Sequence, residues 1–133
     1  MNFKGPMAMS RIRIRTRNGE YPAELDDSDI SNAIWLSLPF TAAINMLGCQ
    51  IYFEMPVDYA EPERLVTKLE VGDIAYWPKV GALCIFFGPT PLSGEDGLPV
   101  SRYPVTKIGG IIGDCSSMES AGDRQPITIE KAF

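Results

Sequence analysis

The sequence predicts an all-β domain of the barrel or sandwich type. Three observations carry that expectation. Short apolar runs with period-two alternation recur along the chain, and turn residues separate them at regular intervals. Eleven prolines and twelve glycines in 133 residues are also many for a helical bundle. An apolar content of 45% supports a packed globule, and the length fits one domain with one core. Residues 1–9 read as a leader or a disordered segment, and 10–133 as the domain.

Residues 10–17 alternate strictly. Ile12, Ile14 and Thr16 fall on one face, and Arg11, Arg13, Arg15 and Arg17 on the other. Asn18-Gly19 predicts a hairpin turn, with 20–25 as the return strand. The arginine row reads as a solvated strand face that guards an edge against unwanted pairing. Asp26-Asp27-Ser28-Asp29 supplies N-cap candidates, and Ile30, Ala33, Ile34 and Leu38 follow at helical spacing. This predicts a helix over 28–37, stopped by Pro39. The three aspartates are better explained as a helix N-terminus than as a metal site.

Residues 40–46 and 50–55 read as two strands around Leu47-Gly48, the second ended by Pro56. Residues 58–70 are charged, with helical or loop character. Residues 72–78 and 82–89, joined by Lys79-Val80-Gly81, form a hairpin of two strongly apolar strands. Residues 90–102 are a Pro/Gly/Ser loop, too polar for the core. A strand over 105–112 carries Gly109-Gly110, the mark of a bulge or bend. Residues 116–121 make at most one helical turn, and 125–131 a last alternating strand, for about eight strands in all.

In 82–87 both faces of the strand are apolar, whereas a barrel strand facing water alternates. Its outer face therefore needs a cover. The 28–37 helix, a partner subunit of a homodimer, and a ligand lying in a groove all satisfy that need. The sequence leaves the three open, and leaves open which of Phe86 and Phe87 points outward.

Composition excludes more chemistry than it suggests. The chain has no histidine, which removes Ser-His-Asp and Cys-His catalysis and the H-E-x-x-H zinc site. Neither a G-x-x-x-x-G-K-[ST] nor a G-x-G-x-x-G phosphate loop occurs. No cofactor or metal is expected. A net charge of −5 disfavours nucleic acid as a partner. With neither an apolar leader nor a run of about 18 apolar residues, no membrane partner and a cytoplasmic location are expected. Cys49, Cys84 and Cys115 are odd in number and lack a C-x-x-C pair, so they read as reduced structural thiols.

A few polar groups stand among the apolar strands. Gln50, Tyr52 and Glu54 share one strand face. Glu54, beside aromatics, is either desolvated towards general-acid use or a solvent-facing carboxylate. Tyr76 and Trp77 are core aromatics or a pocket wall. Arg102 is an anion-binding arm or simply exposed. The expected site is a groove beside 50–55 and 82–87, built from Gln50, Tyr52, Glu54, Tyr76, Phe86, Phe87 and Arg102. Its expected ligand is a small molecule or a short peptide.

The stretch Gly72-Asp73-Ile74-Ala75-Tyr76-Trp77-Pro78, with Ala82-Leu83-Cys84-Ile85-Phe86-Phe87-Gly88-Pro89-Thr90-Pro91, Ile51-Tyr52-Phe53 and Pro56, resembles the uncharacterised family of small bacterial and archaeal cyclophilin-like proteins. The resemblance spans roughly residues 10–132. It implies a closed eight-stranded cyclophilin-like β-barrel with helices at its ends, and it brings no established activity. True cyclophilins isomerise prolyl bonds with an Arg in F-H-R, a Gln in Q-G-G-D, paired Phe residues, a loop Trp and a His. Here Thr41-Ala42-Ala43-Ile44-Asn45 has no Arg. Gln50 is a counterpart of the Gln, but Ile51-Tyr52 replace the two glycines. The Phe residues correspond to part of Ile85-Phe86-Phe87. The 90–102 loop has no Trp, and Tyr103-Pro104 stand where the His would be. The alternative function that the resemblance implies is a peptidyl-prolyl isomerase with an atypical site.

Overall fold

The computed structural model describes residues 10–58 and 64–132. The leader reading for 1–9, and the part of the charged segment at 59–63, lie outside the described residues. Ten antiparallel strands, one α-helix and one 3-10 turn (Ser116–Ser120) account for the regular structure of these residues. None of their helices is long and apolar enough to cross a membrane.

Strands β1 (Ser10–Thr16) and β2 (Gly19–Leu25) form the predicted hairpin. Its two turn residues are Arg17 and Asn18, one position earlier than the Asn-Gly signal, because Gly19 pairs with Thr16. Alternation sends Ile12 and Ile14 into the core and leaves Arg11, Arg13 and Arg15 outside. The edge-guard reading of these arginines is corrected by topology, since β1 lies between β2 and β10 (Pro126–Lys131). The row instead faces carboxylates across the ladder. Arg11 Nε lies 2.9 Å from Glu24 Oε2, and Arg13 Nη1 lies 2.9 Å from Glu130 Oε1. Such exposed pairs contribute about 1 kcal/mol or less each.

Helix α1 (Asp29–Leu36) starts where its caps predict. Ser31 N–H donates to Ser28 Oγ at 3.2 Å. Asp26 Oδ1 accepts from Ser28 N–H at 3.1 Å and from both the Ser28 and Ser31 hydroxyls at 2.6 Å. Ile30 and Ile34 enter the main core beneath the strands.

The expected strand over 40–46 is divided. Strand β3 (Phe40–Ala43) pairs with β10, whereas β4 (Asn45–Leu47) pairs with β5 (Gln50–Glu54). The change of partner occurs at buried Ile44, whose N–H donates to Gln125 O at 2.8 Å and whose carbonyl accepts from Arg124 N–H at 2.7 Å. The hydrogen-bonded order is β3-β10-β1-β2-β9-β7-β8-β5-β4, with β6 (Leu65–Lys68) attached to β9 (Val100–Ile111). Its end strands are not paired with each other, so the expected closed ring of eight becomes an open path of more, shorter strands.

Two loop readings also change. The 58–70 segment contains β6, whose four residues are exposed and which is held by backbone pairing to β9. Strand β9 begins at Val100, inside the expected loop, and Ser101 is buried. Pro104 sits where the β6–β9 register slips, so its missing N–H breaks no pair. The Gly109-Gly110 signal does mark an irregularity. Opposite β7 (Asp73–Trp77), the register shifts between Ile74 and Ala75, which face Gly109 and Lys107.

Strand β8 (Ala82–Phe86) is buried along its whole length. Leu83 and Ile85 point inward to the main core with Ile74 and Tyr76, and Phe87 joins them beyond the strand end. Cys84 and Phe86 point outward, into a second cluster with Leu69, Ala75 and Val105, against which Tyr52 and Trp77 pack. The cover of the outer face is therefore neither α1 nor an open groove; it is Leu69, which follows β6, and Val105 of β9. Truncating either Phe86 or Phe87 to alanine is expected to cost about 3–5 kcal/mol by denaturant titration. Because Phe86 is covered from within the chain, its loss should not depend on protein concentration.

Burial pushes the Cys84 thiol up to about 12, while a hydrogen bond from Gln50 pulls the other way. The native state thus keeps this proton above pH 9, where the unfolded chain releases it. Stability should fall as pH rises through that window. Comparing wild type with Cys84→Ala in urea at pH 8 and pH 10.5 checks this: the variant should show the smaller alkaline loss.

Candidate functional site

The outer face of β5, β8 and β7 sorts six of the seven expected site residues into two groups, and Arg102 lies on β9. Gln50, Tyr52 and Glu54 do share that face, as period-two geometry requires. Gln50 is buried, Tyr52 half-buried and Glu54 exposed. Phe86 lies on the same side but is fully buried under Leu69 and Val105. Tyr76 and Phe87 belong to the opposite face and the main core. The Tyr76 hydroxyl donates to Val57 O at 3.0 Å, which satisfies its polar tip. These three aromatics form the foundation of the site and leave no open groove wall.

What lies at the surface is an aromatic shelf. Trp77, at the end of β7, stacks on Tyr103 with ring centroids 5.1 Å apart and planes 13° from parallel. Tyr52 meets Trp77 edge-on at 5.9 Å. The Arg102 guanidinium lies 5.8 Å from the Tyr103 ring centroid, so this arginine is exposed but not adrift. Glu54 stands in solvent, and the desolvation that general-acid use would need is missing. The Trp77 indole Nε1 is buried and has no hydrogen-bond partner among the described residues.

Tyr103 was not among the expected site residues. Its signal was available: an aromatic between Arg102 and Pro104, at a place read as the end of a loop. Its sequence neighbours do not reveal Trp77, which reaches it only because β9 pairs with β7.

A second polar place lies at the other end of β7. Asp73, whose side chain is only 9% exposed, contacts Lys107 Nζ through Oδ1 at 3.0 Å. Its Oδ2 accepts the Glu70 N–H at 2.8 Å. The sequence signal was a lone carboxylate heading an otherwise apolar strand. No group of three or more Cys, Asp or Glu among the described residues is placed to hold a metal ion. Burial raises the thiols of Cys49 and Cys115 above their ordinary value, with Glu119 and Asp114 acting in the same direction. Neither is set up as a nucleophile.

Comparison with known proteins agrees with this architecture. The solution structure of the hypothetical protein AF2241 from Archaeoglobus fulgidus is similar over 99% of this chain and 100% of that one. The two share 32% identity and superpose with a TM-score of 0.80. No curated protein matches the chain. The family model described as Cyclophilin-like matches residues 10–130, and the chain belongs to that family.

Proposed function

We propose that the domain is a binding module whose ligand, a small molecule or a short peptide, lies on the Tyr52–Trp77–Tyr103 shelf beside β5 and β8. The observation that carries this reading is the Trp77 indole: stacked on a half-exposed Tyr103, with its N–H enclosed and without an acceptor among the described residues. An unsatisfied buried donor costs about 1–3 kcal/mol, which a ligand carbonyl placed there would relieve. Stacked aromatic rings offer a flat apolar surface at small entropic cost, and Arg102 and Glu54 place opposite charges at its margins. The barrel beneath supplies the rigidity. Its end strands β3 and β4 are consecutive in the chain, so we read the sheet as closed in effect through Ile44.

Trp35→Phe leaves Trp77 as the sole indole and makes the shelf directly observable by fluorescence. Titration with Pro-containing tetrapeptides and a panel of planar heterocycles is expected to give at least one saturable emission change. Tyr103→Ala should weaken that binding at least about fivefold, since a stacked aromatic contact is worth ~1 kcal/mol or more. A ligand that binds Tyr103→Ala as tightly as the parent would overturn the shelf reading.

Prolyl isomerisation is the second reading, and the sequence of β3 and β4 speaks against it. Twisting the prolyl amide makes its nitrogen basic, and a charged donor in a dry groove stabilises that state. Removing one such donor commonly costs about 10²–10³ in rate. Residues 41–45 hold no arginine. An Ala-Pro peptide assay at pH 7–8 should therefore show acceleration at least about a hundredfold below a working cyclophilin. Strong activity that Arg102→Ala abolishes would show the donor supplied from β9 instead.

A further inference from the structure

A cleft of about 710 Å³ opens between β6, the C-terminal half of β9 and the head of β7, away from the aromatic shelf. Clefts of about 300–1,000 Å³ suit small metabolites. Its charged lining is matched in number: Arg64, Lys68 and Lys107 against Asp26, Glu70 and Asp73. What it can bind therefore depends on which of these groups are already engaged.

Two of the three carboxylates are engaged. Asp26 already accepts the three hydrogen bonds that start α1. Asp73 is nine-tenths buried and uses one oxygen on Lys107 and the other on the Glu70 N–H. The cations are less so. Lys107 has three donor hydrogens, one aimed at Asp73, and its side chain is half exposed. Lys68 is held by Asp96 at 2.5 Å. Arg64 makes no ion pair or hydrogen bond among the described residues, and it sits at φ +56°, a left-handed conformation uncommon for a residue other than glycine. Among the described residues Glu70 is the one lining carboxylate left exposed and uncommitted, so the Arg64 guanidinium and the spare hydrogens of Lys107 face a single free carboxylate. Beside these groups, Val66 supplies an exposed apolar side chain.

We infer that this cleft binds a small oxyanion, a carboxylate or a phosphate monoester at the end of a short hydrocarbon body. Arg64 and Lys107 hold the charged end, and Val66 contacts the rest. The Arg64 guanidinium presents the fork that carboxylate and phosphate accept in bidentate fashion. Asp73 is a positioning residue: it aims Lys107 without meeting the ligand. The cleft floor at Gly109 and Gly110 has no side chains to obstruct entry.

The test is an amide NMR titration of the full chain at constant ionic strength. The probes are butyl phosphate, hexanoate and inorganic phosphate, with sodium chloride as the control. Saturable shifts are expected at Gly109 and Gly110, with a Kd of about 1 mM or tighter for at least one of the two apolar anions. Butyl phosphate should bind more tightly than inorganic phosphate, and whichever of butyl phosphate and hexanoate binds better identifies the head group. Arg64→Gln, at an exposed position, should leave the melting temperature near wild type and weaken binding at least about tenfold. Lys107→Gln alone would strand the buried Asp73 carboxylate, so Asp73→Asn/Lys107→Gln is the second variant, expected to weaken binding similarly. The inference is overturned if no saturable shift occurs at the cleft. It is equally overturned if sodium chloride reproduces the shift, or if Arg64→Gln binds as well as wild type. Trp77 fluorescence should not respond to these anions, so the outcome is independent of the aromatic shelf.

Discussion

Burial of β8 on both faces requires two layers of side chains, and most of the architecture follows from supplying the second. A half-buried antiparallel strand needs one apolar face; this one has two. The inner layer is the main core, to which α1 contributes Ile30 and Ile34. The outer layer is small: Leu69, Ala75, Val105 and the flanks of Tyr52 and Trp77 cover Cys84 and Phe86. Leu69 and Val105 come from the segments on either side of the β6–β9 pairing. That pairing, exposed on its β6 side, brings these covers over β8.

Both candidate sites are margins of this outer layer. Asp73, Ala75 and Trp77 alternate onto the same face of β7, so the charged cleft and the aromatic shelf are about 13 Å apart on one strand. Ala75, packed under Leu69 and Val105, separates them. At one margin the layer ends in rings, and at the other in an ion pair. The two places differ in chemistry because the strand's last outward residue is an indole and its first a carboxylate. The strand is buried between them, which holds both groups in fixed positions relative to the sheet.

Local structure is legible in the sequence, and non-local pairing is not. The β1–β2 and β7–β8 hairpins, the Ser28 cap, the Gly109-Gly110 irregularity and the shared face of Gln50, Tyr52 and Glu54 each depend on residues within a few positions of one another. The parity of Phe86 and Phe87 was undecidable because alternation carries no information when both faces are apolar. Strand β6 was invisible for a different reason: its four residues are all exposed, so no burial pattern marks it. The division at Ile44 was hidden because changing partners requires no special residue type. Tyr103 with Trp77, and Lys107 with Asp73, are pairings created by the β7–β9 ladder between segments distant in the chain.

The neighbouring β2–β9 ladder depends on one residue having no side chain. Strand β2 joins β9 over only three pairs, Ala23 to Leu25 against Ile111 to Gly109. At Gly109 a Cβ would lie 2.1 Å from the Glu24 carbonyl oxygen, so any other residue would force β2 and β9 apart. Directly beyond it the register with β7 slips, which turns Lys107 onto the outer face towards Asp73. The position that lets the two halves of the sheet meet is thus also the floor of the charged cleft. Sheet continuity and an open floor have the same cause: backbone approaches backbone there with nothing between. The cleft follows from how this sheet is joined, and the side chains around it determine what it can hold.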